Sequence, residues 1–328
     1  MPSSWPLSLA DVYAARDRIA PYLSPSPSPL RRYPTLDQAI GRGIAVYVKH
    51  ENFNPTNSFK VRNALSFMTA LDEAARKRGV VAATRGNHGL GLAYAGKLFG
   101  VRTTICVPLG NNPEKNAAMR AYGARLIEEG RDYDESTAVA DRVVREEGAT
   151  LAHSTNDLRI LAGASTMSLE IVDQAPDLDA LVIAIGGGSQ AVGALTIARA
   201  LKPSLAVYGV QAERAAAAHD SWHAGKPVTV DSANTFADGL ATRSTYELTF
   251  PTLQEGLAGF VTVSEGEIAA ALRLLLETTH SLVEGAGAAG LAGAIKLADT
   301  LAGKRVGVVI SGGNIDRATL RRVLNEEI

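Results

Sequence analysis

The chain has 328 residues, enough for two domains and a well-filled core. Its 33 Lys and Arg side chains against 34 Asp and Glu leave a formal charge of −1, which gives no electrostatic reason to expect nucleic acid or an anionic membrane as partner. One cysteine excludes an intrachain disulfide and suits a reducing compartment; with no signal peptide and no uncharged run of membrane-spanning length, the protein is expected in the cytoplasm.

Helical periodicity covers Leu9–Ile19, and the alternating Ser-Pro run at 24–29 reads as a stiff polyproline-like connector. Branched apolar runs then predict strands at 44–48, 80–83, 103–107, 181–185, 206–210 and 306–310, with helical patterns between them. Cys106 falls inside the third of these runs, so it reads as a buried strand thiol rather than a nucleophile. Continuous apolar strands alternating with helices predict parallel sheet covered on both faces, and ligands bind such sheets at the carboxyl ends of the strands. No other linker interrupts the chain, so a second domain must be built into the first.

Four polar segments stand at such ends. Asn57-Ser58-Phe59-Lys60 places a lysine where a short turn feeds an amphipathic helix marked by Val61, Ala64, Leu65, Met68 and Leu71. Asn57 and Ser58 are capping residue types, and Phe59 supplies an apolar wall. Desolvation and a helix N-terminus both depress an amine's pKa and favour attack on an aldehyde. Thr84-Arg85-Gly86-Asn87-His88 brings hydroxyl, amide and imidazole groups beside free backbone N–H donors, a seat for a carboxylate. Gly186-Gly187-Gly188-Ser189-Gln190 follows one strand and precedes a helix expected from Ala191, which suits a phosphate; its spacing matches neither the Walker nor the dinucleotide pattern. Ser311-Gly312-Gly313-Asn314 ends the last strand, where Ser311 can offer a hydroxyl to a heteroaromatic nitrogen. One reactive amine plus loops able to grip an anion and a ring point to pyridoxal 5′-phosphate.

In this order the segments resemble the fold-type II pyridoxal-phosphate enzymes (tryptophan synthase β-like), specifically the serine/threonine dehydratase branch. Asn57 to Arg62 looks like its S-F-K-x-R signature, and Gly86-Asn87-His88 matches its G-N-H loop. Ala237-Asp238-Gly239-Leu240-Ala241, Glu284-Gly285-Ala286-Gly287 and Pro29-Leu30 also look like family segments. The resemblance implies two three-layer α/β domains with mostly parallel sheets: a large cofactor-binding domain from 1–62 and 150–328, and a small mobile domain at 63–149. It makes Lys60 the Schiff-base and proton-transfer residue, with Ser311 at the pyridine nitrogen. Phe59, Asn87, Gly186, Gly187, Gly188 and Ser189 complete the cofactor site. Ser58, Thr84, Arg85, Gly86, Asn87 and His88 are expected to bind substrate.

The implied reaction is β-elimination from a β-hydroxy-L-amino acid, giving a 2-oxo acid and ammonia, with threonine and serine as default substrates. Arg85 stands where a racemase of this family carries a serine, and its basicity disfavours racemisation. Whether Arg85 points toward substrate or toward water stays open in the sequence. Inward, it favours an acidic substrate such as 3-hydroxyaspartate; Leu90, in place of the family's Gln, hints at phenylserine. A β-replacement synthase shares the fold. Some relatives hold a divalent cation after the strand ending at Val210, but Gln211 and Ala217 stand there with only Glu213 acidic, so no metal is expected. The resemblance further implies a homodimer acting on a small amino acid. With no carboxy-terminal regulatory domain in view, a catabolic role is expected.

Overall fold

The computed structural model describes residues 5–131 and 133–328. Ten strands form two sheets: β1 (Leu30–Arg32), β2 (Ala45–His50), β3 (Val80–Ala83), β4 (Thr103–Val107), β5 (Arg125–Glu128), β6 (Thr150–Leu151), β7 (Ala180–Ala184), β8 (Ala206–Ala212), β9 (Gly259–Val263) and β10 (Arg305–Ile310). The larger sheet has the order β1-β2-β10-β7-β8-β9, and the smaller β5-β4-β3-β6. Every pairing is parallel except that of the edge strand β1 with β2. Both β3 (Val-Val-Ala-Ala) and β7 (Ala-Leu-Val-Ile-Ala) are buried along their whole length, as strands covered on two faces must be.

Each sheet is packed on both sides. Leu272, Ala288 and Leu291 cover one face of the larger sheet, and Met167, Ala194 and Leu195 the other. The smaller sheet is flanked by Leu65, Met68 and Leu92 on one side and by Val139, Ala140 and Val143 on the other. The smaller sheet is inserted between β2 and β7 and runs through Leu151, two residues beyond the expected boundary at 149.

This topology positions the chemistry. Because β2, β10 and β7 are parallel neighbours, their carboxyl ends lie side by side. The segments leaving them lead to Lys60, Ser311 and Gly186, so residues more than 250 apart in sequence meet there.

Several local expectations need correction. The Ser-Pro segment runs through successive bends at 24–27 rather than as an extended polyproline helix. The helix after the triple glycine begins at Ser189 rather than Ala191. The Lys60–Thr69 helix has no side-chain cap: Asn57 instead takes a left-handed conformation (φ +53°), and Ser58 forms a β-bridge with Gly312. Cys106 is buried in β4, where desolvation pushes its thiol up to about 11. Among the described residues no helix is long and apolar enough to cross a membrane.

Candidate active site

Lys60 opens the Lys60–Thr69 helix at the floor of a cavity of about 890 Å3. The preceding turn is tied to the last strand by Phe59 N–H donating to the Ser311 carbonyl at 3.0 Å. The Lys60 amine lies 5.0 Å from the Phe59 ring centroid, and its one hydrogen bond is a long contact to the Ser154 carbonyl at 3.4 Å. No carboxylate pairs with it, so desolvation alone lowers its pKa, to about 8. At neutral pH roughly a tenth of such an amine is unprotonated, against less than about a thousandth for an ordinary lysine.

Two imidazoles stand near this amine, and both are held neutral. Burial, reinforced by Lys60, lowers His88 to about 3, and the same causes lower His153. His153 Nδ1 accepts from the Thr155 and Asn156 amides at 3.0 and 2.7 Å, which places its proton on Nε2.

The triple glycine forms a second wall. Gly188 precedes the Ser189–Leu201 helix with φ +94°, a conformation that favours glycine, and no side chain caps the helix. Its first N–H groups therefore remain available to an anion. A Cβ on Gly187 would stand 2.2 Å from Thr155 Oγ1, and one on Gly186 2.2 Å from the Gly239 carbonyl, so backbone and neighbours approach as closely as they can. Gln190 Nε2, in the first turn, is buried without a protein partner.

The third wall is the 84–88 loop. Thr84 Oγ1 accepts from the Gly86 amide at 3.1 Å, and the Asn87–Phe99 helix also lacks a side-chain cap. Asn87 donates to Glu284 Oε1 at 2.6 Å and accepts from Asn314 at 2.7 Å. Lys115 closes the rim through a 2.7 Å ion pair with Asp238. Burial raises the Glu284 carboxyl above the usual range, opposed by Lys115 and by the Asn87 hydrogen bond.

A family model described as "Pyridoxal-phosphate dependent enzyme" matches residues 22–312. The chain belongs to the pyridoxal-phosphate-dependent enzymes. It is 38% identical to an L-threonine ammonia-lyase of Thermotoga maritima, over 87% of this chain and 71% of that protein. It is 34% identical to an L-threo-3-hydroxyaspartate ammonia-lyase of Pseudomonas sp., over 94% and 96% of the two chains. Among solved structures, a threonine deaminase of T.th. superposes with a TM-score of 0.88 at 36% identity, covering 94% of this chain and 99% of that one.

Within this pyridoxal-phosphate enzyme, Phe59, Lys60, Thr84, Arg85, Gly86, Asn87, His88, Gly186, Gly187, Gly188, Ser189 and Ser311 all line the one cavity. Ser58 does not: it is fully buried, its hydroxyl meets no protein partner, and its position is set by the bridge to Gly312. His88 reaches the lining, but its Nε2 is held by the Ala152 carbonyl at 2.8 Å, so the imidazole is anchored into the small sheet. Arg85 is exposed at the cavity wall and makes no hydrogen bond or ion pair with a described residue. Leu90 is buried in the small-sheet core and lines a smaller cleft that shares Gly86, Asn87 and Lys115 with the cavity. Gln211 Oε1 accepts from the Ala218 and His219 amides, both at 3.0 Å, and so starts a helix.

Sequence reasoning assigned no role to Arg62, which is fully buried below Lys60. It bonds Glu51 at 2.8 and 3.0 Å and Glu170 at 2.8 Å through each of two nitrogens. Lys49 adds a 2.7 Å pair to Glu170. Burial is outweighed at Glu170 by Arg62 and Lys49, which lower its pKa. Glu51 follows β2 and Glu170 lies on the Leu158–Gln174 helix, so this cluster locks the lysine's helix to the larger sheet. Only the charged letters hinted at it; its partners lie 11 and 108 positions away from Arg62.

Proposed function

We propose that this chain is an ammonia-lyase that eliminates the β-hydroxyl of a small β-hydroxy-L-amino acid, with threonine and serine as its first substrates, releasing a 2-oxo acid and ammonia. The single observation that carries this reading is a lysine amine with no carboxylate partner, facing an uncapped glycine-turn helix across one cavity. These residues fit pyridoxal phosphate. Lys60 would hold its aldehyde carbon, and the N–H groups of the Gly186-Gly187-Gly188-Ser189 turn would hold its phosphate. Ser311 would meet its ring nitrogen, Phe59 would pack beside its ring, and Asn87 would meet its phenolic oxygen. When bound, the cofactor supplies an electron sink for the carbanion left by loss of the substrate's α-proton.

The protein's part is positioning and proton transfer. Thr84, Gly86 and the free N–H groups at the start of the Asn87–Phe99 helix hold the substrate carboxylate, and the neutral His88 braces that loop from behind. Lys60, when free as the neutral amine and with no carboxylate to hold it as ammonium, accepts the α-proton and becomes the ammonium. Loss of hydroxide with a proton makes one water, and release of ammonia consumes one, so the net change is an isomerising loss of ammonia. Ser311, a neutral partner for a ring nitrogen, disfavours a long-lived carbanion and so favours prompt β-elimination. The setting inferred from the family resemblance is a cytoplasmic homodimer, which sedimentation velocity will check.

A second reading is favoured by Arg85. A guanidinium on the cavity wall with no described partner suits a β-carboxylate, as in 3-hydroxyaspartate. Turnover on threonine, serine, 3-hydroxyaspartate and phenylserine, measured as 2-oxo acid release, tests both readings. Loss of 3-hydroxyaspartate turnover alone in Arg85→Met selects the second. Purified protein should be yellow and Lys60→Ala colourless; a wild-type protein that stays colourless with added pyridoxal phosphate ends the proposal.

A further inference from the structure

Four side chains from four separate segments form one directional hydrogen-bond chain behind the cavity. Asn57 Nδ2 donates to Asn314 Oδ1 at 3.3 Å; Asn314 Nδ2 donates to Asn87 Oδ1 at 2.7 Å and to the Thr56 carbonyl at 2.8 Å; Asn87 Nδ2 donates to Glu284 Oε1 at 2.6 Å. The Asn314 and Asn87 amides are thereby each fixed in one orientation, because the oxygen already receives and the nitrogen already gives. The carboxylate at the end accepts and sets the polarity of the whole row. Asn57 enters from the left-handed turn before Lys60, and the backbone of Gly312 shelters the far end: a Cβ there would stand 2.3 Å from Glu284 Oε1 and 3.2 Å from Asn87 Nδ2.

With one Nδ2 hydrogen on Glu284, Asn87 retains a second that no described residue takes, and Asn87 lines the cavity. We propose that Glu284 is a positioning residue: by taking one Asn87 Nδ2 hydrogen directly, at the end of this row, it presents the other to the cofactor's phenolic oxygen. This rests on the reading that Asn87 faces the cofactor. Without the carboxylate only the Asn314 bond to its oxygen holds the Asn87 amide, and the donor is no longer aimed at a ligand oxygen.

The test uses holoenzyme and resolved apoenzyme of Glu284→Ala, Glu284→Gln, Asn87→Ala and Asn57→Gly. The visible absorption maximum and the pyridoxal phosphate dissociation constant are read alongside apoenzyme melting. Glu284→Ala should reproduce the spectral shift of Asn87→Ala and weaken the cofactor about tenfold, the worth of one charge-assisted hydrogen bond. Glu284→Gln keeps an accepting oxygen and should restore most of both. Asn57→Gly keeps the turn's backbone and should give a fraction of the shift. A wild-type spectrum and affinity in Glu284→Ala, with Asn87→Ala shifted, overturns the role of Glu284 while the Asn87 contact stands. A silent Asn87→Ala removes that contact and the proposal with it. A loss in Glu284→Ala that Gln does not restore, tracking apoenzyme melting, reduces Glu284 to a structural part and also overturns it.

Discussion

Replacing Arg62 by Met should be among the most damaging single changes outside the cavity. The side chain is fully buried, and both its carboxylate partners are held bidentately. Removing it leaves Glu51 with no exposed surface and Glu170 with 13%, and Lys49, bonded to Glu170, is the remaining cation of the cluster. Breaking a buried ion pair from one side costs about 3–5 kcal/mol, because the surviving charge stays desolvated, so the unfolding constant should rise by roughly two to four orders of magnitude. Arg62→Lys keeps the charge but not the two-sided fork and should lose less, about 1–3 kcal/mol. Adding Glu51→Gln to Arg62→Met should recover part of the loss by removing the stranded carboxylate. Chemical unfolding followed by fluorescence, with wild type and the Met and Gln variants forming a double-mutant comparison, measures each step. A loss below about 1 kcal/mol in Arg62→Met, or no recovery in the double variant, would refute the view that uncompensated charge is the cause.

Acylation of Lys60 in apoenzyme, followed by peptide mass spectrometry, should rise with pH about a midpoint of about 8; a midpoint near that of the surface lysines contradicts the desolvation argument. Gly187→Ala drives a methyl to 2.2 Å from Thr155 Oγ1. It should weaken cofactor binding by about 1–3 kcal/mol, with Thr155→Ala relieving it; unchanged affinity in the single variant argues against a crowded cradle. Glu170 has a folded pKa below its unfolded value, so its contribution is fully present above about 4.5 and is lost as pH falls through the folded value. Wild type should therefore lose stability more steeply below about pH 4.5 than Glu170→Gln does, and identical acid limbs would contradict this.

Strands announced themselves in the sequence wherever two-sided burial demanded an unbroken apolar run, and glycine clusters marked where backbone must approach a ligand. The short edge strands gave no such signal: β5 carries charged residues at both ends and β6 has two residues. Ser58 read as a cap because serine often caps helices, but the left-handed Asn57 and the Gly312 bridge set this turn instead. The Arg62 cluster and the Asn57-to-Glu284 row were illegible for a different reason. Each joins polar side chains from distant segments, and neither period nor local spacing encodes such a meeting. Arg85 remained ambiguous because direction at an exposed wall depends on tertiary placement.

The Lys60–Thr69 helix starts against the end of the larger sheet, while Val61, Leu65 and Met68 sit in the core of the smaller one. The reactive amine is thus tied to the larger sheet at its turn and through Arg62, while the helix it opens is packed into the smaller one. A change in the packing of either half is therefore felt at the amine, because one helix is footed in both.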